Sequence, residues 1–444
     1  MDTTPPKAAH PSFGETTRTF AEIGLLSFGG PAGQIALMHR ILVDEKRWLD
    51  EPRFLHALNY CMLLPGPEAM QLATYAGWLL HGIRGGLVAG LLFVLPGALV
   101  LTALSAIYLT VGHITLVQGL LFGLKAAVLA IVLEALIKVS KRALKNGFMV
   151  ALAIAAFVAI AFLKLPFPLI ILAAAVIGAL MHLADLGPVS AKSVDQDEVA
   201  YEMPEWTKPS ARRFFTTLAV WLATWFLPLV LLWQALGPTN VFTTEAVFFS
   251  KMATVTFGGA YAVLAYVAQQ AVEVHGWLKP DEMLTGLGLA ETTPGPLILV
   301  LVFVGFLGGA RLSALAPLAG GAAGAAVTLW FTFVPCFLWI FVGAPYVETV
   351  RNVRWLSSAL AAVTAAVVGI IANLAVWFGL HVLFGNFREV AWGPLMLPAP
   401  DLGQFDWVAA GIAVGAGLAL IRYKANMIVV LAVSALAGMA WQMA

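Results

Sequence analysis

Charge is what this sequence has least of. Only 11% of its 444 residues are Asp, Glu, Lys or Arg, while 61% are hydrophobic; an average soluble domain is about a quarter charged. A soluble core cannot absorb that much apolar surface, which excludes an ordinary water-soluble globular protein. A net charge of +1 leaves no basic face for nucleic acid. There are two cysteines, Cys61 and Cys336, without CxxC spacing. They read as small buried hydrophobes, and neither a disulfide framework nor a thiolate metal site is expected. The eight histidines show no ligand spacing, so no metal or cofactor is implied. Residues 1–19 are polar and lack the apolar core and small-residue cleavage site of a signal peptide. Strict apolar alternation, the mark of a membrane barrel, is also missing.

What is present is a series of apolar runs, many reaching the roughly 20 residues needed to cross a hydrocarbon core. Six lie in the first half, from Phe20 to Leu183, with Phe54 to Ile83 taken as one of them. A polar stretch over 185–213 carries most of the acids and bases of the middle of the chain and reads as a linker. Residues 214–236 form a further apolar segment with no upstream counterpart, and six more follow in 241–444. Trp48, Trp277 and Trp355 stand beside charged loops, as interfacial aromatics do. The expected division is an N-terminal cytoplasmic segment (1–19), a first transmembrane repeat (20–184), the linker, a connecting helix (214–236) and a second repeat (241–444).

Two helix-breaking clusters recur. Ser27-Phe28-Gly29-Gly30-Pro31-Ala32-Gly33 is answered by Thr256-Phe257-Gly258-Gly259, and Pro65-Gly66-Pro67 by Pro294-Gly295-Pro296. Phe20, Phe28, Gly29, Gly30, Trp48, Leu49, Leu58, Pro65, Gly66 and Pro67 all reappear 229 positions later. Beyond them the offset becomes 239, from Pro96 to Pro335. One connecting helix between two six-segment halves makes the second half enter from the opposite face. The expected fold is therefore an all-α polytopic membrane protein of two inverted repeats joined by one extra helix, with helices broken at GGP and PGP. The acid-free run of Lys138, Lys141, Arg142 and Lys145 places that loop and the N-terminus in the cytoplasm and the C-terminus outside. The charge rule does not separate fully crossing broken spans from re-entrant hairpins at PGP; broken spans are the expectation, because the connecting helix then explains the inversion.

Breaks at matched places in two hydrophobic halves point to a transporter's binding site. Unsatisfied backbone survives in lipid only against protein or a water-filled cavity. Each restarted helix turns free N–H groups and about +0.5 charge toward that cavity, which favours an anion. The substrate-binding candidates are Ser27, Gly29, Gly30, Gln34, Gly66, Gln71, Thr256, Gly258, Gly259, Thr293 and Gly295, with Lys125 as an intramembrane cation. Glu22 and Lys251 are related by the 229 offset and are expected to meet near the pseudo-two-fold axis. Glu68, directly after Pro67, would link proton binding to anion binding at the same helix end. The coupling candidates are thus Glu22, Glu68 and Lys251.

The run Phe28-Gly29-Gly30-Pro31-Ala32-Gly33-Gln34, then Trp48-Leu49, Leu64-Pro65-Gly66-Pro67-Glu68-Ala69, Gln71-Leu72-Ala73-Thr74-Tyr75 and Phe93-Val94-Leu95-Pro96-Gly97, resembles the chromate ion transporter family in its long, two-repeat branch. The resemblance implies a multi-pass protein of the bacterial inner membrane that exports chromate, coupled to protons or to anion exchange, with sulfate as an analogue. The second copy departs from the pattern, with Ala260 for Pro31 and Leu297 for Glu68, so the halves are expected to contribute unequally. Partners are then the oxyanion, protons and the bilayer; a homodimer is one assembly open to such a chain. Two alternatives stand beside this reading. One is a carrier of sulfate or another oxyanion, and the other is an intramembrane enzyme acting on a lipid-linked substrate.

Overall fold

The computed structural model describes residues 11–28, 30–183, 205–257, 260–346, 354–385, 387–393 and 395–444. Within them are sixteen α-helices and one small antiparallel hairpin. The first half holds α1 (Phe13–Leu26), α2 (Gly30–His39), α3 (Glu51–Cys61), α4 (Glu68–Val111), α5 (Thr115–Ala143), α6 (Gly147–Ala161) and α7 (Phe167–Leu183). Then come α8 (Ala211–Leu236), α9 (Val241–Val255), α10 (Ala260–Gln269), α11 (Pro280–Glu291), α12 (Val300–Leu312) and α13 (Pro317–Gly343). The chain finishes with α14 (Arg354–Phe384), α15 (Trp407–Gly417) and α16 (Met427–Met443). Among the described residues, five helices are long and apolar enough to cross a membrane: α4, α5, α8, α13 continued to Tyr346, and α14 from Trp355. The chain is a mostly helical, multi-pass membrane protein.

Several helix starts in polar loops are closed by short polar side chains: Ser12 accepts from the Glu15 N–H, Asp50 from Arg53 and Asn240 from Phe242. Such caps satisfy one of the first-turn donors. At the interior break preceding α4 the cap residue is Pro67, and no side chain caps that helix.

The span expected over Phe54 to Ile83 does not cross; it doubles back. Inside α4 the helix is interrupted at His81 (φ −139°) and Gly82 (φ +60°), a left-handed geometry that glycine adopts without strain. The arms 68–80 and 83–111 then lie antiparallel in close contact, for a Cβ on Gly77 would collide with the Gly85 carbonyl and one on Gly90 with Thr74 Oγ1. The other end of the segment returns to the same face. Thr16 Oγ1 is 3.0 Å from His81 Nε2, and one residue away Glu15 Oε1 pairs with Lys46 Nζ at 3.3 Å. Residues 15, 46 and 81 thus share one face, so α1–α2 and α3 with the first arm of α4 are re-entrant hairpins. The physical reason is local: a proline-flanked break allows the helix to reverse as readily as to continue, and charge counting is blind to the difference.

The second half also holds a pair of close-packed arms. The arms α12 and α13 are antiparallel, with Gly309 against Gly320 and Gly305 against Gly324. Trp277, from the loop after α10, packs beside Gly308, and Arg311 pairs with Glu282 at the start of α11. The far end of α13 brings Phe341 against Gly86 and Phe337 against Gly90. That end therefore reaches the His81 face, and the Trp277 loop lies across the molecule from it.

The remaining helices exchange partners between halves. α5 packs on α16, with Gly123 against the Ser434 carbonyl, and α14 packs on α6 and α7, with Gly369 against the Ala153 carbonyl. Small residues at such contacts let backbones approach. α8 keeps one fully buried residue, Trp225, among exposed and half-buried positions. The expectation of an all-α fold is corrected at Phe387–Trp392 and Leu395–Pro400, which pair as two strands. Pro398 and Pro400 cannot donate within a helix, and Gly393 at φ +62° supports the turn.

Candidate functional site

The interior ends of the hairpins meet. The N–H of Gly66 donates to the Thr256 carbonyl at 2.8 Å, and the N–H of Gly295 donates to the Ser27 carbonyl at 2.8 Å. Each PGP break is thereby stitched to the glycine-rich break of the other half. Ser27 Oγ returns its proton to the Ile23 carbonyl at 2.6 Å, and Thr256 Oγ1 does the same to Met252. Gln34 reinforces one crossing, with Nε2 donating to the Gly295 carbonyl at 2.7 Å and the Ser27 carbonyl at 3.3 Å. Gln71 Nε2 closes the other by donating to the Pro65 carbonyl at 2.8 Å. Both carboxamide oxygens, Gln34 Oε1 and Gln71 Oε1, are buried without a protein partner. Val263 and Val300 stand 229 positions after them, so these open acceptors belong to the first half alone.

The crossing revises which donors face a ligand. Gly66 and Gly295 are among the expected substrate-binding residues, but the N–H groups of both are committed to carbonyls. The open donors are those of the first turn of α4, behind Pro67, where only Gln71 N–H is returned, to the Pro67 carbonyl. Gly30, at φ +76°, starts α2 in the same region. Thr293 is buried and its hydroxyl donates to the Ala290 carbonyl. Gly29, Gly258 and Gly259 lie outside the described residues.

Two carboxylates sit at the breaks. Glu68 is the first residue of α4, half-buried, with Arg142 as its charged neighbour. Arg142 itself reaches Met62 Sδ at 3.3 Å, beside the break. Glu291, buried just before the second PGP, accepts from Tyr261 Oη at 2.6 Å, with Glu134 and Lys138 as charged neighbours. Glu134 and Lys138 pair with each other at 2.6 Å. The final turns of α5 thus bring charge to both breaks. The Tyr261–Glu291 pair was not legible as a unit, since thirty residues separate its members; the one available signal was Tyr261 two positions after the second glycine pair.

Two expectations are corrected. Glu22 and Lys251 do not meet: both are exposed and no ion pair joins them among the described residues. Each lies five residues before its crossing point, and α1 and α9 approach that point from opposite faces, which carries the two side chains apart. Lys125 does not stand free in the interior; its Nζ pairs with Asp281 at 3.1 Å at the start of α11.

These features define a class, a multi-pass membrane protein in which two copies of an interrupted helical hairpin meet inside the molecule. The family can be given as well. The chromate transporter family matches residues 14–179 and 243–439, one segment in each half, and the chain belongs to it. It is 30% identical over 437 residues to the chromate transport protein of Pseudomonas aeruginosa, covering 98% of this chain and 93% of that one. It is 28% identical over 380 residues to a probable chromate transport protein of Synechococcus elongatus, covering 84% and 87%. An uncharacterised transporter of Methanocaldococcus jannaschii is 25% identical over 377 residues, covering 85% and 87%. No solved structure matches the chain. This is a family of transporters and not of enzymes, so the intramembrane-enzyme alternative falls away.

Proposed function

We propose that this chain is a secondary transporter that exports chromate across the bacterial inner membrane by alternating access, coupled to protons or to anion exchange. The observation that carries the reading is the reciprocal pair of bonds from Gly66 to Thr256 and from Gly295 to Ser27. Two re-entrant hairpin sets opening to opposite faces and meeting tip to tip are what two inverted repeats produce, with α8 as the connecting helix. A shared tip can be closed toward one face and open toward the other, which is the mechanical need of alternating access.

The chemistry suits a dianion. The uncapped start of α4 offers first-turn N–H groups and the positive end of the helix dipole. Ser27, Gly30, Gln34, Gln71, Thr256 and Thr293 frame the crossing as neutral groups, with Gly66 and Gly295 as its stitches, and Arg142 supplies a nearby cation. In this reading Glu68, at the same helix end as the anion, is the coupling carboxylate. The acid-rich 44–51 segment and the basic 138–145 loop belong to the cytoplasmic face. Counterflow of labelled chromate in proteoliposomes tests the proposal: trapped chromate should accelerate uptake, and sulfate should compete. Uptake indifferent to both trapped anions would refute it.

A further inference from the structure

Among the described residues, Glu245 is the one carboxyl group with neither solvent nor a partner in view. It lies in the second turn of α9 at 0% exposure, and neither carboxyl oxygen has a hydrogen-bond partner. Room for it is left by Gly308 of α12, where a Cβ would stand 2.7 Å from Glu245 Oε1 and 3.1 Å from Trp277 Cγ. Among the described residues, no charge faces it that is not already committed. On α12, Arg311 is bound by both terminal nitrogens to Glu282. In the adjoining loop, His275 is stacked on Trp277 at 4.4 Å. α13 carries no Asp, Glu, Lys, Arg or His between Pro317 and Gly343, but it holds Thr328 and Thr332, whose hydroxyl oxygens are also buried without partners. α8 has its arginines, Arg212 and Arg213, only at its far end, and Lys251, later on α9, is exposed.

An ionised carboxylate so placed costs several kcal/mol and is relieved by taking up a proton. Nothing structural requires an acid there. The equivalent position in the first half is Thr16, a neutral group that finds a partner in His81. Glu245 is also shallow, since the Asn240 cap of α9 lies five residues earlier, about 7.5 Å along the helix axis. Trp277 adjoins the same Gly308 and comes from the loop at that face.

We propose that Glu245 is a proton-binding site of the transport cycle, protonated in this conformation and exchanging its proton with the Trp277 face when Trp277 moves aside. The inference rests on the transport reading above and extends its proton coupling to a residue outside the crossing. On displacement of Trp277 the proton passes to water and the carboxylate left behind is hydrated, so no other reactant is needed.

Two measurements on the full chain test this. Infrared spectra of the protein in nanodiscs should show a protonated-carboxyl band that declines at alkaline pH and is missing from Glu245→Gln and from Glu245→Met, the second variant bringing no new buried donors. In proteoliposomes, stimulation of chromate flux by an imposed pH gradient should be lost in both variants while counterflow without a gradient persists. Wild-type gradient stimulation in either folded variant, or a band the substitutions leave unchanged, would overturn the proposal. If the wild-type protein moved no oxyanion, the transport reading would fail. The infrared band would then still decide whether Glu245 binds a proton, and its absence would overturn the site.

Discussion

The N–H of Gly66 donates to the carbonyl of Thr256 across the two halves of the chain, and Gly295 repeats the bond toward Ser27 at the same 2.8 Å. The sequence offset that relates the halves therefore relates the bonds as well. Each half supplies the acceptor that its partner's break lacks, which is how interrupted backbone is satisfied inside a bilayer without water.

Replacing either glycine should damage this crossing. Gly66 sits at φ +124° and Gly295 at φ +94°, where a side chain costs about 1–3 kcal/mol in backbone strain. A Cβ on Gly66 would also stand 2.8 Å from Gln71 Nε2 and 2.9 Å from Cys336 Sγ, and one on Gly295 would stand 2.9 Å from Leu299 Cδ1. Gly66→Ala and Gly295→Ala should each lower the melting temperature in detergent and abolish chromate counterflow. A variant that melts like the wild type would show that the crossing tolerates what the geometry forbids.

The re-entrant path has a direct test. Cysteines introduced at Asp44 and Arg84, both exposed, should react with an impermeant maleimide from the same side of the membrane. Cysteines at Gly276 and Ala314 should react from the opposite side. The native thiols are buried and contribute little background. Labelling of Asp44 and Arg84 positions from opposite sides would restore a fully crossing span between them.

His39 gives the loop face a pH dependence. At the loop end of α2 its ring stands 3.4 Å from Asp44 and is hydrogen-bonded to Glu51. The Glu51 hydrogen bond chiefly raises its pKa above 6.5, and the charges of Glu51 and Asp44 add to this against a partial desolvation. With the folded value above the unfolded one, the stabilisation is fully present below about pH 6.5. It is lost as pH rises through the folded value. His39→Gln should therefore lower the melting temperature at pH 6 and make little difference at pH 9. Equal differences at both values would mean that the packing of His39 against Phe54, and not its charge, is what matters.

The sites of interruption were legible because proline and glycine act on their own helix, and the doubled spacing fixed which breaks correspond. The direction taken after each break was not legible, since it depends on whether Gly77 can lie against Gly85, a contact made only once the chain has reversed. Glu22 and Lys251 show the limit of the repeat as a guide: equivalence in sequence under inversion separates side chains instead of joining them. Gln34 and Gln71 were identified as polar groups of the site, yet their donors serve the backbone and leave the oxygens open. Glu245 escaped notice because an acid near the start of an apolar run resembles an interfacial residue, and its counterpart Thr16 carries no charge to draw attention to it.

At the Trp277 face, Glu282 and Arg311 form the most fully satisfied ion pair among the described residues. The guanidinium donates from both terminal nitrogens at 2.7 and 2.6 Å, Tyr108 Oη donates to Glu282 at 3.0 Å, and the Lys279 N–H closes the set at 2.8 Å. The cluster ties the starts of α11 and the end of α12 to the second arm of α4, across the two halves. Glu282 is 5% exposed, so removing its partner strands a buried charge, a change that typically costs about 3–5 kcal/mol. Arg311→Met should accordingly destabilise the protein more than the double variant Glu282→Met with Arg311→Met, which removes both charges. Arg311→Lys should fall between wild type and Arg311→Met, because an ammonium cannot make the two-pronged contact. Melting temperatures of the three variants check the order, and a double variant no more stable than Arg311→Met alone would show that the pair matters for more than compensating its own burial.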